Sequence, residues 1–352
     1  MMITGAELFV KALKAEQVDT LFAYPGGQAI DLFNALYGEQ DIDVILPRHE
    51  QGLVHAADGY ARSTGKVGVC LVTSGPGATN LVTGIATANY DSVPLVCFTG
   101  QVPTGLIGND AFQEVDIVGI TRSICKYAVT VRKREELAAV IRKAFLISRT
   151  GKPGVVVVDL PKDIQREYGS DDYPEEIEIR GYKPKRSVHA GQLKKALEIL
   201  NHARKPVFLA GGGVGISHAH SEMLKLAEMT GVPVITTIMG KGAIPTTHDL
   251  YIGNLGIHGS YAANTAISHC DVLFSIGTRF NDRITGKTGH FATHAAIIHI
   301  DIDSASISRN IEVDIPIVAD AKTALLALLE KAQKLDTQEW LGQIRQWQEM
   351  FF

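Results

Sequence analysis

The chain has 352 residues, of which 45% are hydrophobic and 20% charged, enough apolar sequence for two folded domains. Its formal net charge of −4 gives no electrostatic reason to expect nucleic acid or an anionic membrane as a partner. No apolar run has the length of a membrane span and no signal-peptide pattern begins the chain, so we expect a cytoplasmic protein. The four cysteines lack metal-binding spacing, which predicts buried free thiols and no metal ligands.

The first half of the chain alternates short apolar runs with segments of helical periodicity. A capping box at Thr4–Glu7 predicts a first helix from Thr4 to about Glu16. Further helices are predicted over 28–37, from Glu50 onward, after Asn80 and over 135–148, and strands over 20–24, 42–46, 67–73, 93–99 and 154–160. This alternation is typical of an α/β fold in which helices cover both faces of a parallel sheet.

Glycine-rich turns follow several of these predicted strands, at 26–27, 75–77 and 100. The carboxyl ends of parallel strands meet at one edge of the sheet, and ligands of open α/β sheets bind along that edge. Glu50 follows the predicted strand 42–46 at the start of a helix. Its carboxylate either stabilises that helix start through the dipole or faces a ligand at the edge, and the local pattern leaves both interpretations open.

The second half repeats the α/β pattern after a charged, proline-containing stretch. Helices are predicted over 192–202, 221–230 and 319–331, and strands over 206–210, 233–237, 272–276 and 296–302. We therefore predict two doubly wound parallel-sheet domains, 1–165 and 189–334, joined by a linker over 166–188. A helical, aromatic-rich segment over 335–352 carries apolar surface that needs a cover.

Polar and glycine motifs at the predicted strand ends of the second half each have two interpretations. The run Gly211–Gly213 suits a backbone that approaches a pyrophosphate, or is simply a turn. Asp301 suits ribose hydroxyls, or is a solvated strand-end acid. Arg279 and Arg283 flank Asp282 and form either a surface ion pair or a clamp for a carboxylate or phosphate. His258 either packs in its loop or donates a hydrogen bond to a ligand.

Six linked motifs carry a resemblance to a known family. In order they are Tyr24-Pro25-Gly26-Gly27, Pro47-Arg48-His49-Glu50-Gln51, Thr73-Ser74-Gly75-Pro76-Gly77-Ala78-Thr79-Asn80-Leu81, Thr99-Gly100-Gln101-Val102-Pro103, Asp110-Ala111-Phe112-Gln113-Glu114 and Arg279-Phe280-Asn281-Asp282-Arg283. From about residue 3 onward the chain resembles the catalytic large subunits of the acetolactate (acetohydroxyacid) synthase family, which are thiamine-diphosphate enzymes.

The resemblance implies an architecture of three α/β domains. Residues 1–165 resemble the N-terminal pyrimidine-binding domain and residues 189–334 the central FAD-binding domain. The segment 335–352 resembles the start of a C-terminal domain that anchors the diphosphate and Mg²⁺. We therefore expect a truncated chain or a split gene, weak thiamine diphosphate binding by this chain alone, and a homodimer formed through the N-terminal domain.

The resemblance also implies roles for individual residues. Glu50 matches the catalytic glutamate that hydrogen-bonds N1′ of the thiamine aminopyrimidine. The family's substrates are two 2-keto acids: pyruvate, which is decarboxylated, and a second pyruvate or a 2-ketobutyrate, which accepts the two-carbon unit. Family residues near these substrates match Gly26, Phe112, Gln113, Lys162 and Arg283. Positions that contact thiamine diphosphate or FAD match Tyr24, Pro25, Gly26, Thr73, Pro76, Asn80, Gln113, Lys152, Gly211, Gly212, Gly213, Thr237, Ile238, Met239, His258, Gly259, Gly277, Arg279, Arg283, Asp301, Ile302 and Asp320.

Three positions depart from the family pattern. Gln28 replaces a usual Ala or Ser, Lys152 a usual Arg, and Ile257 a usual Met. Lys152 lacks the bidentate fork of an arginine, which bears on FAD affinity.

The resemblance allows a regulatory small subunit as a further partner. Two other functions stay open on the sequence. One is a pyruvate oxidase-like enzyme with redox-active FAD, and the other is a non-catalytic flavin- or nucleotide-binding partner of another chain.

Overall fold

The computed structural model of the chain describes residues 1–184 and 187–350. They form two compact units, Met1–Lys183 and Pro184–Phe352. Two residues of the predicted linker, 185–186, and the last two aromatics of the predicted tail, 351–352, lie outside the described residues. None of the described helices combines the length and apolar character that crossing a membrane requires.

The first unit alternates strands and helices along almost its whole length. Its strands are β1 (Met2–Thr4), β2 (Thr20–Ala23), β3 (Asp43–Ile45), β4 (Gly68–Val72), β5 (Leu95–Gln101), β6 (Tyr127–Thr130), β7 (Val155–Pro161) and β8 (Tyr168–Ser170). Its helices are α1 (Gly5–Ala15), α2 (Ile30–Leu36), α3 (Glu50–Thr64), α4 (Pro76–Thr79), α5 (Val82–Tyr90), α6 (Ile117–Thr121), α7 (Leu137–Arg149) and α8 (Lys162–Arg166).

The main sheet of this unit is parallel, with strand order β3-β2-β4-β5-β7-β6. Alternate residues of each strand point to opposite faces, and both faces are covered by helices. Phe98 of β5 packs edge-to-face on Phe9 of α1, with ring centroids 4.9 Å apart. Its neighbour Cys97 faces the other side, in the cluster with Val54 of α3. The predicted parallel sheet with two covered faces is confirmed.

The start of α1 follows directly from local sequence. Thr4 accepts a hydrogen bond from the Glu7 amide, and the Glu7 carboxylate accepts one from the Thr4 amide, which completes the predicted capping box.

The segment predicted as a linker packs largely on the first unit. β8 pairs antiparallel with β1, with Met2 opposite Ser170. Further on, the Tyr173 hydroxyl donates to Glu16, which also pairs with Arg142, and the Tyr182 hydroxyl donates to the Thr150 carbonyl. The charged composition of 166–183 therefore reflects a surface strap rather than an unattached linker.

The second unit has the same type of architecture. Its strands are β9 (Pro206–Ala210), β10 (Val234–Thr236), β11 (Tyr251–Asn254), β12 (Val272–Ile276), β13 (Ala296–Asp301) and β14 (Ile315–Val318). Its helices are α9 (Ala190–Asn201), α10 (Gly212–Ile216), α11 (His220–Thr230), α12 (Tyr261–His269), α13 (Asp282–Thr285), α14 (Ala321–Leu329) and α15 (Gln338–Glu349). The parallel sheet has strand order β11-β10-β9-β12-β13-β14.

The aromatic-rich segment after Asp336 belongs to the second unit. That this segment begins a further domain stays a prediction; among the described residues, α15 packs against α12 and buries Trp340 to 2% exposure. The Trp340 indole donates to the Pro206 carbonyl across 3.1 Å, and Trp347 packs edge-to-face on its ring. Of the predicted apolar surface, the part at Trp340 and Trp347 therefore packs within the same unit.

Candidate functional site

Three loops of the first unit meet at the carboxyl edge of its sheet. The loops after β3, β2 and β4 are neighbours because these strands lie side by side. The loop after β3 leads to Glu50, the loop after β2 contains Tyr24, Pro25 and Gly26, and the loop after β4 runs from Thr73 through Pro76 to Asn80. The structure therefore brings together residues that are up to 56 positions apart in sequence.

Glu50 is the first residue of α3, and it does not cap the helix. The cap is His49, whose Nδ1 accepts a hydrogen bond from the Gln51 amide across 3.1 Å. The Glu50 side chain is half-buried, and its Oε2 accepts a hydrogen bond from Asn80 Nδ2 across 3.0 Å. The helix end is thus satisfied without Glu50, whose carboxylate is held by a residue of the neighbouring loop instead.

Small residues keep the space beside Glu50 open. A Cβ added at Gly77 would lie 3.5 Å from Glu50 Oε1 and 2.9 Å from the Thr73 methyl group. A Cβ at Gly26 would lie 2.6 Å from Thr73 Cβ. The Thr73 hydroxyl accepts a hydrogen bond from the Gln28 amide across 3.2 Å, which joins the loops after β2 and β4. These loops approach one another as closely as their backbones allow.

Lys162 and Gln165 of α8 hold the loop after β2 from the other side. Lys162 Nζ donates to the Gly27 carbonyl across 2.6 Å, and Gln165 Nε2 donates to the Gln28 carbonyl across 2.8 Å. Lys162 thus lies at the same edge as Glu50, as its place just after β7 requires. Among the described residues, the side-chain oxygens of Gln28 and Gln165 and the Ser74 hydroxyl are buried with no hydrogen-bond partner.

The loop between β5 and α6 carries Phe112 and Gln113. Phe112 is 83% exposed, a high value for a phenyl ring. Gln113 has a positive φ of 60°, and its carbonyl lies close to Gly75, which has a φ of 58°. The loop therefore touches the turn after β4, although its aromatic side chain points away from the unit.

Lys152 does not join this group within the first unit. It lies between α7 and β7, and so at the amino edge of the sheet. Its charge, together with burial, lowers the pKa of Lys126 to about 8, with burial the larger cause.

The residues predicted to contact FAD lie at the carboxyl edge of the second sheet. Each group follows a strand: Gly211–Gly213 follow β9, Thr237–Met239 follow β10, His258 and Gly259 follow β11, Gly277 and Arg279 follow β12, Ile302 follows β13 and Asp320 follows β14, while Asp301 ends β13. The structure therefore gathers this predicted set along one edge. The two exceptions are Lys152, which belongs to the first unit, and Arg283, which is the second residue of α13.

Backbone contacts at this edge are very close. The Gly213 amide donates to the Gly277 carbonyl across 3.0 Å, and a Cβ added at Gly213 would lie 2.7 Å from Gly277 Cα. A Cβ added at Gly212 would instead lie 3.1 Å from Met239 Cβ, a tight contact that a shift of a few tenths of an ångström would relieve. Packing therefore opposes a side chain more strongly at 213 than at 212.

The acids of this edge have structural contacts of their own. Asp320 caps α14 by accepting a hydrogen bond from the Thr323 amide, and Asp301 accepts one from the Asp303 amide. Arg283 is largely exposed, and its Nε lies 3.8 Å from the Asp282 carboxylate, a surface pair of little energetic weight.

Two buried polar residues beneath the edges escaped the sequence analysis. Asp159 in β7 is 2% exposed, and burial raises its pKa to about 6. His299 in β13 is fully buried beside the Phe280 ring, and burial lowers its pKa to about 4. In both cases the sequence signal was a titratable residue inside an apolar strand. Such a residue is expected to have a buried hydrogen-bond partner.

Metal-binding residues do not gather in the part of the chain that the structure describes: no group of three or more His, Cys, Asp or Glu side chains there could hold an ion.

Comparison with known families gives two matches, one in each unit. Residues 3–120 match the family model "Thiamine pyrophosphate enzyme, N-terminal TPP binding domain", and residues 193–328 match "Thiamine pyrophosphate enzyme, central domain". Both matches fall on the units that carry the carboxyl-edge sites.

Similar proteins of known name extend over nearly the whole chain. A probable acetolactate synthase large subunit of Methanocaldococcus jannaschii is 52% identical over 97% of this chain and 58% of its own length. The acetolactate synthase isozyme 3 large subunit of Escherichia coli is 47% identical over 98% of this chain and 61% of its own. The acetolactate synthase large subunit of Corynebacterium glutamicum is 45% identical over 97% and 56%.

The chain thus spans about three fifths of the length of these curated relatives. Its two family matches and its two parallel-sheet units agree with one another and with the resemblance found in the motifs. The chain belongs to the thiamine pyrophosphate enzymes, and throughout its length it is similar to the large subunits of acetolactate synthase.

Proposed function

We propose that the chain acts as the catalytic large subunit of an acetolactate synthase in branched-chain amino acid biosynthesis. It would decarboxylate pyruvate on thiamine diphosphate and join the two-carbon unit to pyruvate or 2-ketobutyrate. The observation that carries this proposal is the placement of Glu50, a half-buried carboxylate at a sheet edge whose helix is capped by another residue. Because His49 caps the helix, the Glu50 carboxylate can accept a hydrogen bond from a ligand.

The carboxyl edge of the first unit fits an aminopyrimidine ring. Glu50 offers an acceptor oxygen for a ring nitrogen, and Gly77 leaves the adjoining space without a side chain. The buried oxygens of Ser74 and Gln28 have no hydrogen-bond partner within the described residues, which suits an edge that receives further polar groups. When bound, thiamine diphosphate supplies the carbon nucleophile and the electron sink of the reaction.

Glu50 would hold the proton at N1′ of the aminopyrimidine. Asn80 fixes one carboxylate oxygen at 3.0 Å, so that Glu50 is oriented before the ring binds. A preorganised hydrogen bond of this kind avoids reorientation during the reaction.

The keto acids would bind beside the same edge. Phe112 offers an exposed apolar ring for the methyl or ethyl group of a keto acid, and Gln113 an amide for its polar end. Lys162 provides a positive charge next to Gly26 and Gly27. Arg283 would bind the carboxylate of the acceptor, as the resemblance implies, since a guanidinium suits a planar anion.

We further propose FAD as the ligand of the second unit. Its edge offers backbone amides at Gly211–Gly213, exposed apolar side chains at Ile238 and Met239, and the Asp301 carboxylate. Such a mixture of glycine-rich backbone, apolar surface and a strand-end acid suits a dinucleotide. We assign FAD a structural rather than a redox role.

The assembly is part of the proposal. The resemblance implies that Mg²⁺ binds with the diphosphate on the family's C-terminal domain. The relatives are named large subunits, which supports a regulatory small subunit as a partner. We propose a homodimer through the first unit. The free thiols of Cys70, Cys97, Cys125 and Cys270 support a cytoplasmic location.

A complementation assay tests the function. The chain is mixed with the remaining C-terminal part of a relative's large subunit, thiamine diphosphate, Mg²⁺ and FAD; we refer to this mixture as the supplemented enzyme. Acetolactate formation from pyruvate is then measured. We expect activity from the mixture, none from either part, and a loss of roughly 100-fold or more with Glu50→Gln.

Glu39→Gln is the matched control, because this carboxylate pairs with Lys14 on the surface and should retain activity. Pyruvate-dependent bleaching of bound flavin without acetolactate would contradict the synthase and favour an oxidase. Equal activity of the Glu50→Gln mixture would remove Glu50 from the mechanism.

A further inference from the structure

A carboxylate lies in the interior of the first sheet, among valines. Asp159 in β7 lies in register with Thr99 of β5 and Thr130 of β6, so the three residues form one row across three strands. Asp159 Oδ1 accepts a hydrogen bond from the Thr99 hydroxyl across 2.7 Å, and its Oδ2 accepts one from the Thr130 hydroxyl across 3.1 Å. The row joins the strands but does not by itself explain why a charge-bearing group is needed.

Gln101, at the end of β5, connects this row to the loop above it. Its Nε2 donates both to Asp159 Oδ2 at 3.1 Å and to the Val115 carbonyl at 3.0 Å. Its Oε1 accepts a hydrogen bond from the Val102 amide at 2.9 Å. The amide is 3% exposed, and these three bonds determine its orientation. With Asp159 holding one N–H, the other is aimed at Val115.

Val115 closes the loop that carries Phe112 and Gln113. The loop starts at Thr104, whose amide donates to Asp163 at 3.0 Å, and it is braced internally by Glu114, which accepts from the Gly108 amide at 2.6 Å. Gln113 reaches the turn at Gly75, which leads to the residue that holds Glu50, Asn80. The Gln101–Val115 bond therefore anchors the loop to β5 at its far end, where the Val115 carbonyl also accepts a hydrogen bond from the Ile117 amide across 2.9 Å.

We propose that Asp159 is a positioning residue: through Gln101 and the Val115 carbonyl it fixes segment 104–116, and thereby the orientation of Phe112 and Gln113. This inference deepens the proposed function, because the benefit to catalysis rests on those two side chains meeting the keto acid. The loop anchoring itself does not depend on any ligand.

A positioning role differs from simple core stability in what it leaves unchanged. Removing the Gln101 amide should loosen the loop but leave the strands beneath it intact, since β5 and β7 are held by their own backbone ladder. Thr130 supplies a matched control, because its hydroxyl donates to the same oxygen of Asp159 and not to the Val115 carbonyl.

Amide hydrogen exchange of the 352-residue chain, followed peptide by peptide, tests the proposal. We expect peptides within 104–116 to exchange about tenfold faster in Gln101→Met and in Asp159→Asn than in wild type, the effect of losing one buried anchoring bond. Peptides of β5 and β7 in Gln101→Met should stay within about twofold. In Thr130→Val, the loop should also stay within about twofold.

Two outcomes would overturn the proposal. One is an unchanged loop in Gln101→Met, and the other is a Thr130→Val loop loosened as much as that of Gln101→Met, which would indicate a general loss of stability. If Asp159→Asn does not fold, the exchange rates of the loop peptides in Gln101→Met still test the proposal. Where both fold, the double variant should exchange no faster than either single one, because both changes break the same link.

Kinetics of the supplemented enzyme separate this inference from the proposed function. We expect Gln101→Met to raise the KM for the keto acid roughly tenfold and to alter kcat by less than about threefold. If Gln101→Met loosens the loop but the supplemented wild-type enzyme is inactive, the proposed function is refuted and the anchoring stands. If the wild-type enzyme is active but Gln101→Met leaves the loop unchanged, the anchoring is refuted and the proposed function stands.

Discussion

Asn80 donates its side-chain amide to the Glu50 carboxylate across 3.0 Å, although the two residues lie 30 positions apart in sequence. The contact forms because β3 and β4 flank β2 and end at the same edge of the sheet. Since His49 caps the helix, this bond from the neighbouring loop orients Glu50 without occupying it in secondary structure. The orientation of Glu50 thus depends on an interaction that no local pattern displays.

Asn80→Ala should lower the rate of acetolactate formation by the supplemented enzyme about tenfold or more, because a hydrogen bond to a charged group would be lost. The steady-state rate at saturating pyruvate checks this. Asn201→Ala is the control: this side chain is exposed at the end of α9, far from Glu50 in sequence and part of the other unit, and the variant should retain the wild-type rate. An active Asn80→Ala enzyme would show that Glu50 needs no support from this side.

Asp159 should make the first unit less stable as pH rises from about 4 to about 6. Its pKa in the folded protein is about 6, above the ordinary 3.8, chiefly because of burial and also because of nearby Asp116. The contribution of Asp159 to the free energy of unfolding is fully present below pH 3.8 and is lost as the pH rises through 6. The difference is roughly 3 kcal/mol. Exchange-derived opening free energies of β7 at pH 4 and pH 7 measure it, and Asp159→Asn should remove the difference. An equal pH dependence in the variant would assign it to another group.

Local rules predicted the α/β pattern well and the pairing of strands poorly. Fully buried strands such as β4, β5 and β7 were visible as apolar runs, and the capping box located the start of α1 within a residue. β1 and β8 were missed because each is only three residues long, with no buried residue, and is stabilised by a partner at least 164 positions away. Nothing in a window of ten residues contains that partner.

The site was predictable to a different degree. Glycines after strands predicted a ligand-binding edge, and the structure places these glycines along one edge of each sheet. The partnership of Glu50 with Asn80 could not be read from spacing, because it depends on which strands are neighbours. Asp159 and His299 were detectable in principle as titratable residues inside apolar strands, but their partners, Gln101 and the Thr278 carbonyl, depend on the loops above them.

Gly212→Ala should leave the second unit folded and weaken FAD binding roughly tenfold. A methyl group there would lie 3.1 Å from Met239 Cβ, a milder contact than the 2.7 Å to backbone at Gly213, so the added bulk would chiefly oppose an approaching ligand. Quenching of FAD fluorescence during titration measures the affinity. Gly213→Ala is the contrasting variant and should lose the fold, because its Cβ would collide with Gly277. Unchanged affinity in a folded Gly212→Ala chain would mean that the flavin does not approach this backbone.

His299 should give the second unit a pH dependence of the opposite sign to that of Asp159. Burial lowers its pKa to about 4 from the ordinary 6.5, while its Nε2 donates to the Thr278 carbonyl at 2.7 Å. Its contribution to stability is present above pH 6.5 and is lost as pH falls through 4, roughly 3 kcal/mol in all.

Tryptophan fluorescence follows this transition selectively, because the two tryptophans of the chain, Trp340 and Trp347, both lie in the second unit. Urea unfolding at pH 4.5 and 7 should therefore differ strongly in wild type. His299→Gln keeps an amide donor toward Thr278 but does not titrate, so its unfolding should depend much less on pH. Thr278 lies between Gly277 and Arg279, two residues proposed to contact FAD. If the hydrogen bond to the Thr278 carbonyl is what holds this turn, His299→Gln should bind FAD with nearly unchanged affinity. A large loss of affinity with wild-type stability would mean that the ring is needed in its own right.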